Sequence, residues 1–278
     1  MTSPNVPEKP IQPQTTRIRS LPIQQMGEGK SILIFGPTLS GVPNEQTLAN
    51  AAGHTVTVVD AATWSAMTTA QFAQYDAIVF ADPSCTVGTG VLAAAEANNA
   101  VWSAAITGPI YLQGTDPVYH GNIPAQQMII SGINFAASGP GTGLYVSLSC
   151  YYYGVSDGAP VALLSALGNF EVVGQDTCPD EVTILEPTHP AMSGLTDEGL
   201  SNWSCSAHDF FTSYPPSFVP LAQAVRPTEG TALPYIIATQ VASPCDFSQL
   251  LCAEFTVTFT VTAECEVDNV ECLGPCPT

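Results

Sequence analysis

From Ser31 onward the sequence alternates short apolar runs with segments of helical spacing, and this rhythm leaves few folds open. "SILIF" reads as a strand, and "NEQTLANAAG" as a helix with Asn44 as its N-cap and Gly53 as its stop. "HTVTVVD" is a second strand, "MTTAQFAQY" a helix beginning at Thr68 or Thr69, and "DAIVFAD" a third strand. The Ala-rich "GVLAAAEANNAVWSAA" predicts a helix, "GPIYLQG" a fourth strand and "PAQQMIISGINFAAS" a helix. "GLYVSLS" then predicts a fifth strand and "APVALLSALG" a closing helix. Strands and helices at this spacing specify βαβ units: an α/β fold with a mainly parallel sheet and helices on both faces. Sheets of that kind gather their chemistry in the loops at the carboxyl ends of the strands.

The pattern changes after about residue 180, where "EVTILE", "SFVPLAQAV" and "PYIIATQV" read as strands between Pro-rich turns. Further on, "EFTVTFTVTA" sets Phe255, Val257, Phe259, Val261 and Ala263 against alternating threonines, the period of a half-buried strand. Three parts result: an extended arm over 1–30, an α/β body over 31–240, and a small Cys-rich, β-rich tail over 241–278, stapled by disulfides. The arm is rich in Pro, Gln, Thr and Ser with no apolar period, so it becomes ordered only where a neighbour holds it.

Charge narrows the partners. The chain carries 5 Lys and Arg against 24 Asp and Glu, a net −19, and Lys9, Arg17, Arg19 and Lys30 all lie in the arm. Binding to phosphate backbones depends on Lys and Arg displacing counterions, so nucleic acid is excluded as a partner of the body. No apolar run reaches the ~18 residues of a membrane span. The four basic residues of the arm are matched instead to the acidic body of a neighbouring copy. Nine cysteines with so few charges suit an extracellular or cell-surface chain. The N-terminal thirty residues contain no visible signal peptide, which leaves the export route open.

The tail cysteines Cys245, Cys252, Cys265, Cys272 and Cys276 form no C-x-x-C pair and have no histidine nearby, so disulfides are expected there rather than zinc. Cys85 follows the third strand and Cys150 the fifth. Both emerge at the carboxyl edge of one sheet, where a bridge forms if their Cα atoms fall within ~4.4–6.8 Å. Cys178 and Cys205 form a second candidate pair. In "GTDPVYHG", Asp116 and His120 follow the fourth strand, and with His189, His208 and Asp209 they are what a His/carboxylate metal site would draw on. The simpler reading makes Asp-Pro a turn initiator and the histidine a backbone cap, so no metal or cofactor is expected. "NWS" makes Asn202 a candidate glycosylation acceptor. Tyr151, Tyr152 and Tyr153 are candidates to stack on a glycan or to pack in the core.

The alternating body, with "YDAIVF" running into a loop and "THPAMSGL" downstream, resembles the class I glutamine amidotransferase-like superfamily. Its trehalose-utilisation-like, non-amidotransferase branch is the nearest in look. The resemblance implies a flavodoxin-like sheet over residues 31–240 with a site above the strand ends. It also implies a cysteine nucleophile on a small-x-Cys-x-small elbow, the place held here by Cys150. Leu148 and Tyr152 occupy the small positions, and the superfamily's His-x-Glu pair is absent, with His189 and His208 the nearest substitutes. These departures imply a catalytically degenerate site. The expected function is an extracellular structural subunit that self-assembles into a filament, sheath or surface layer through arm and tail. The alternative is a secreted hydrolase or carbohydrate-active or carbohydrate-binding domain using the strand-end pocket around Cys150.

Overall fold

A computed structural model describes residues 29–239, except 84, 86–88, 176 and 227. Residues 1–28 of the expected 1–30 arm, which include Lys9, Arg17 and Arg19, and the tail with its five cysteines lie outside the described residues.

The fold is α/β and flavodoxin-like. Five parallel strands, β1 (Ser31–Phe35), β2 (Thr55–Val59), β3 (Ala77–Phe80), β4 (Ile106–Gln113) and β5 (Thr142–Ser147), stand in the order β2-β1-β3-β5-β4. The familiar order 2-1-3-4-5 is thus altered in its last two places. Three of the four described strands after residue 180 extend the same sheet through successive antiparallel pairings. β11 (Thr231–Thr239) pairs with β4, β10 (Phe218–Arg226) with β11, and β8 (Val182–Ile184) with β10. A second sheet of three antiparallel strands contains β6 (Ala159–Pro160), β7 (Glu171–Gly174) and β9 (Asp209–Ser213).

Helices cover both faces, so every residue of the central strands β3 and β5 is buried. Successive residues serve opposite cores, as the two-residue period requires. Ile32, Ile34, Ala77, Val79 and Tyr145 face one core, which α1 (Glu45–Ala51) and α7 (Ile123–Ala136) cover. Leu33, Phe35, Ile78, Phe80, Leu144 and Val146 face the other. There α2 (Ala61–Ala66), α3 (Thr69–Phe72), α4 (Ala93–Ala97) and α5 (Asn99–Ser103) supply the cover. Trp64 is the centre of that second core, with ring centroids 4.9 Å from Phe35, 4.7 Å from Phe72 and 5.2 Å from Phe80. On the first face α7 rests on the stacked rings of Tyr111 and Tyr145. A Cβ on Gly132 would lie 2.7 Å from Tyr111 and 2.9 Å from Tyr145, so only glycine lets the helix approach that closely.

Local signals explain several boundaries. Asn44 caps α1 by accepting from the Thr47 amide at 3.1 Å, and the Thr47 hydroxyl answers at the Asn44 amide at 2.8 Å. Thr68 and Gln71 form the equivalent box on α3. The Ala-rich stretch read as one helix is two, broken at Asn98, whose side chain instead accepts from the Trp64 indole at 3.0 Å. The expected helix over "APVALLSALG" is not formed. Ala159 and Pro160 pair with Val172 and Glu171, and only a 3-10 turn over Ala162–Leu164 follows. Proline cannot donate to a helix, and pairing with β7 wins. No helix among the described residues is long and apolar enough to cross a membrane.

Candidate functional site

The sheet order reverses at β1, with β2 on one side and β3 on the other. Loops leaving this switch point diverge, and a crevice opens above the strand ends. A cavity of about 340 Å³ lies there, lined by Ser40, Gly41, Asp82, Cys85, Asp116 and Ser149 among others. These residues follow β1, β3, β4 and β5, so four strand ends contribute to one site.

The start of β9 brings in Asp209 and, one residue before the strand, His208. Gly114, just past β4, accepts from the amides of His208 at 2.8 Å and Asp209 at 3.0 Å. A Cβ on Gly114 would collide with the Asp209 backbone, so a glycine here is what allows β9 to start against the strand end. His208 Nε2 then lies 2.9 Å from Asp116 Oδ1, and His120, from the single-turn helix α6 (Pro117–His120), brings its Nε2 to 3.0 Å from the same oxygen. The His120 ring packs against Trp203 at 5.1 Å.

The carboxyl groups of the crevice are sorted by burial. Burial pushes the Asp116 carboxyl up, but the two histidines at Oδ1 outweigh it and hold the group below its ordinary range. At Asp82 burial wins: it raises the group to about 7, with Asp116 adding to the rise, in spite of a hydrogen bond from the Ser149 side chain and the attraction of His208 and His120. Glu45 is fully buried and raised to about 8, by burial first and then by the nearby Asp82; its Oε1 accepts from the Asp82 amide at 3.1 Å. Asp209 is raised well above the carboxylate range by burial, although its Oδ2 accepts from the Tyr152 amide at 3.1 Å.

Cys150 is bridged to Cys85, with Cα atoms 4.4 Å apart. It therefore presents no thiol, and its sulfur lies 3.9 Å from Asp116 Oδ2. The turn that an elbow nucleophile would occupy belongs to the residue before it. Ser149 has φ 59°, a left-handed conformation that non-glycine residues rarely adopt. Ser147 secures the turn by donating its hydroxyl to Thr115 O at 3.0 Å and accepting from the Ser149 amide at 3.2 Å. Ser149 is only 1% exposed. The spacing Ser147-Leu148-Ser149 was the available signal for this position, small-x-Ser ending one residue before the cysteine.

The other sequence candidates disperse. Cys178 and Cys205 form a second disulfide, Cα atoms 4.5 Å apart, which pins the segment carrying His208. His189 is at the far side of the sheet. It caps the turn Pro190–Met192, packs on Phe135 at 4.8 Å, and its Nε2 lies 3.4 Å from Thr239 O. Tyr151 and Tyr152 are buried in the second core, edge to face at 5.1 Å, and Tyr153 alone of the three is exposed. Asn202 is exposed, with its amide bonded to Asp180 O at 2.8 Å. Lys30 pairs with Asp76 of its own chain at 3.4 Å, at the amino edge of β1. Glu45 and Asp82 were not singled out by sequence, because nothing local distinguishes a helix-start glutamate or an Asp-Pro turn from a buried carboxyl.

No protein-family model matches the chain, and no curated protein matches it. A solved structure from Thermoplasma acidophilum, of a protein assigned as one of the subunits of GMP synthase, is similar with a TM-score of 0.35 at 9% identity. The match covers 72% of this chain and 75% of that one.

Proposed function

We propose that this chain is a non-catalytic, disulfide-stapled extracellular structural subunit that assembles with copies of itself, using an amidotransferase-like body as its building block. The observation that carries the reading is the Cys85–Cys150 bridge. It consumes the thiol that an amidotransferase-type mechanism would need, and it joins the loops after β3 and β5 where a substrate would have to enter. A second bridge, Cys178–Cys205, and the net charge of −19 fit an oxidising, solvent-rich setting. The arm brings Lys9, Arg17 and Arg19 to that acidic body, and an arm laid over the next copy is a heterologous contact that closes into rings or runs on as a fibre. Such a contact weakens with salt. The test compares the full chain with a chain starting at Gly29, which keeps Lys30 on Asp76, by sedimentation and electron microscopy at low and high salt. Assembly that persists unchanged in the shortened chain refutes the arm-mediated reading.

A second reading, a hydrolase or carbohydrate-active domain, is supported by the position of the cavity at the switch point and by the hydrogen bond between Ser149 and Asp82. The near-complete burial of Ser149 weighs against it. Labelling by a fluorophosphonate probe that disappears in Ser149→Ala would favour this reading over the first.

A further inference from the structure

We propose that Asp116, His120 and His208 form a binding site for a divalent transition-metal ion of the zinc type at the wall of the switch-point crevice. The site stands whether or not the chain assembles.

One carboxylate oxygen and two imidazole nitrogens lie within 4.8 Å of one another. Metal–ligand bonds of about 2.1 Å set neighbouring ligand atoms ~3.0 Å apart at right angles and ~3.4 Å apart at the tetrahedral angle. The observed separations from Asp116 Oδ1, 2.9 Å to His208 and 3.0 Å to His120, are already those of ligands sharing an ion.

His120 contributes a buried nitrogen that has no aligned partner among the described residues. Its side chain is only 10% exposed, and Nε2 approaches Asp116 Oδ1 in distance but not in direction. A histidine serving only to satisfy a buried carboxylate would point its N–H at the oxygen, as a buried polar group without a partner is costly. A lone pair on that nitrogen aimed at an ion beside the oxygen needs no such alignment. His208 differs: its Nε2 is hydrogen-bonded to Asp116 Oδ1 at 2.9 Å while its Nδ1 faces the Cys205 sulfur at 3.7 Å, so when an ion displaces that hydrogen bond the ring proton has an acceptor at Nδ1 and Nε2 becomes the ligand.

The lysine and arginine side chains among the described residues are held elsewhere, Lys30 by Asp76 and Arg226 by Glu229, so neither competes for the Asp116 carboxylate. Two imidazoles and one carboxylate select a first-row transition ion over calcium or magnesium, which prefer all-oxygen sites. With three protein ligands the ion keeps open positions, as catalytic and exchangeable sites do.

The experiment uses the untagged full chain with its disulfides intact, free thiols alkylated and metals stripped with chelator. Equilibrium dialysis against Zn²⁺ should show a saturable zinc ion per chain. His208→Gln and His120→Gln should each lower the affinity by at least about 100-fold, exceeding the 10–100-fold typical of partners that only orient a ligand. Zinc should raise the Tm of the unsubstituted chain and leave that of either variant unmoved, and the stripped variants should melt cooperatively, which separates a lost ligand from a lost fold. Absence of saturable binding by the full chain, or wild-type zinc affinity in a folded His120→Gln chain, overturns the proposal.

Discussion

Replacing Glu45 by Gln should stabilise the protein, and increasingly so as the pH rises. Glu45 is 0% exposed; one oxygen accepts from the Asp82 amide, and the other has no hydrogen-bond partner among the described residues. An ionised carboxylate in that position would leave a buried charge unanswered, so the folded chain holds the proton until about pH 8, whereas an unfolded Glu releases it near 4.5. The folded state therefore binds the extra proton, and stability is lost as the pH climbs between those two values. At about 1.4 kcal/mol per pKa unit, the folded protein forfeits about 2–3 kcal/mol between about pH 5 and about pH 7 through this residue. Glutamine copies the protonated acid in shape, keeps an acceptor for the Asp82 amide and does not titrate. Urea unfolding of both chains across that range should show near-equal stability at the acid end and a widening advantage for Glu45→Gln toward neutrality. Asp82 titrates in the same window but is present in both chains, so the difference isolates Glu45. A difference that stays constant with pH, or one that favours the native residue as the pH rises, refutes the assignment of a neutral buried Glu45.

Three other outcomes are expected. Removing the Cys85–Cys150 bridge in a double alanine variant frees a loop spanned by a sequence separation of 65, and chemical denaturation should show a loss of about 2–4 kcal/mol. Gly132→Ala forces a methyl group against the rings of Tyr111 and Tyr145, which should cost about 1–3 kcal/mol and blue-shift or broaden the tyrosine near-UV dichroism. Asn44→Ala removes the cap of α1, and a fall of about 1 kcal/mol in unfolding free energy is the expected result.

The fold was legible where burial on both faces leaves an uninterrupted apolar run, as in "SILIF" and "DAIVF", and where caps such as Asn44 and Thr68 mark helix starts. It was illegible where spacing is ambiguous. "APVALLSALG" has apolar residues at helical intervals, but Pro160 and a partner strand nearly a dozen residues on decide its conformation. That β8, β10 and β11 join the main sheet while β9 joins the small one depends on long-range pairing that no local pattern encodes. The site divided in the same way. Strand-end reasoning brings Cys85 near Cys150 and Asp116 near the crevice, since strand order and direction suffice for it. The approach of His208 depends on the contact of Gly114 with β9, and the protonation of Glu45 and Asp82 on how deeply other segments cover them.

The placement of β5 between β3 and β4 has a consequence for how the chain is made. Translation delivers the middle strand after both of its neighbours, so β3 and β4 each wait with an unpaired apolar edge until residues 142–147 have left the ribosome. Open edges of that kind recruit other chains. Nascent chains shorter than this limit hold two halves of a sheet with no seam, and stalled or truncated products ending before Thr142 should enter the insoluble fraction to a greater extent than those extending past Ser147, in which the seam is closed and the β4 edge awaits only β11.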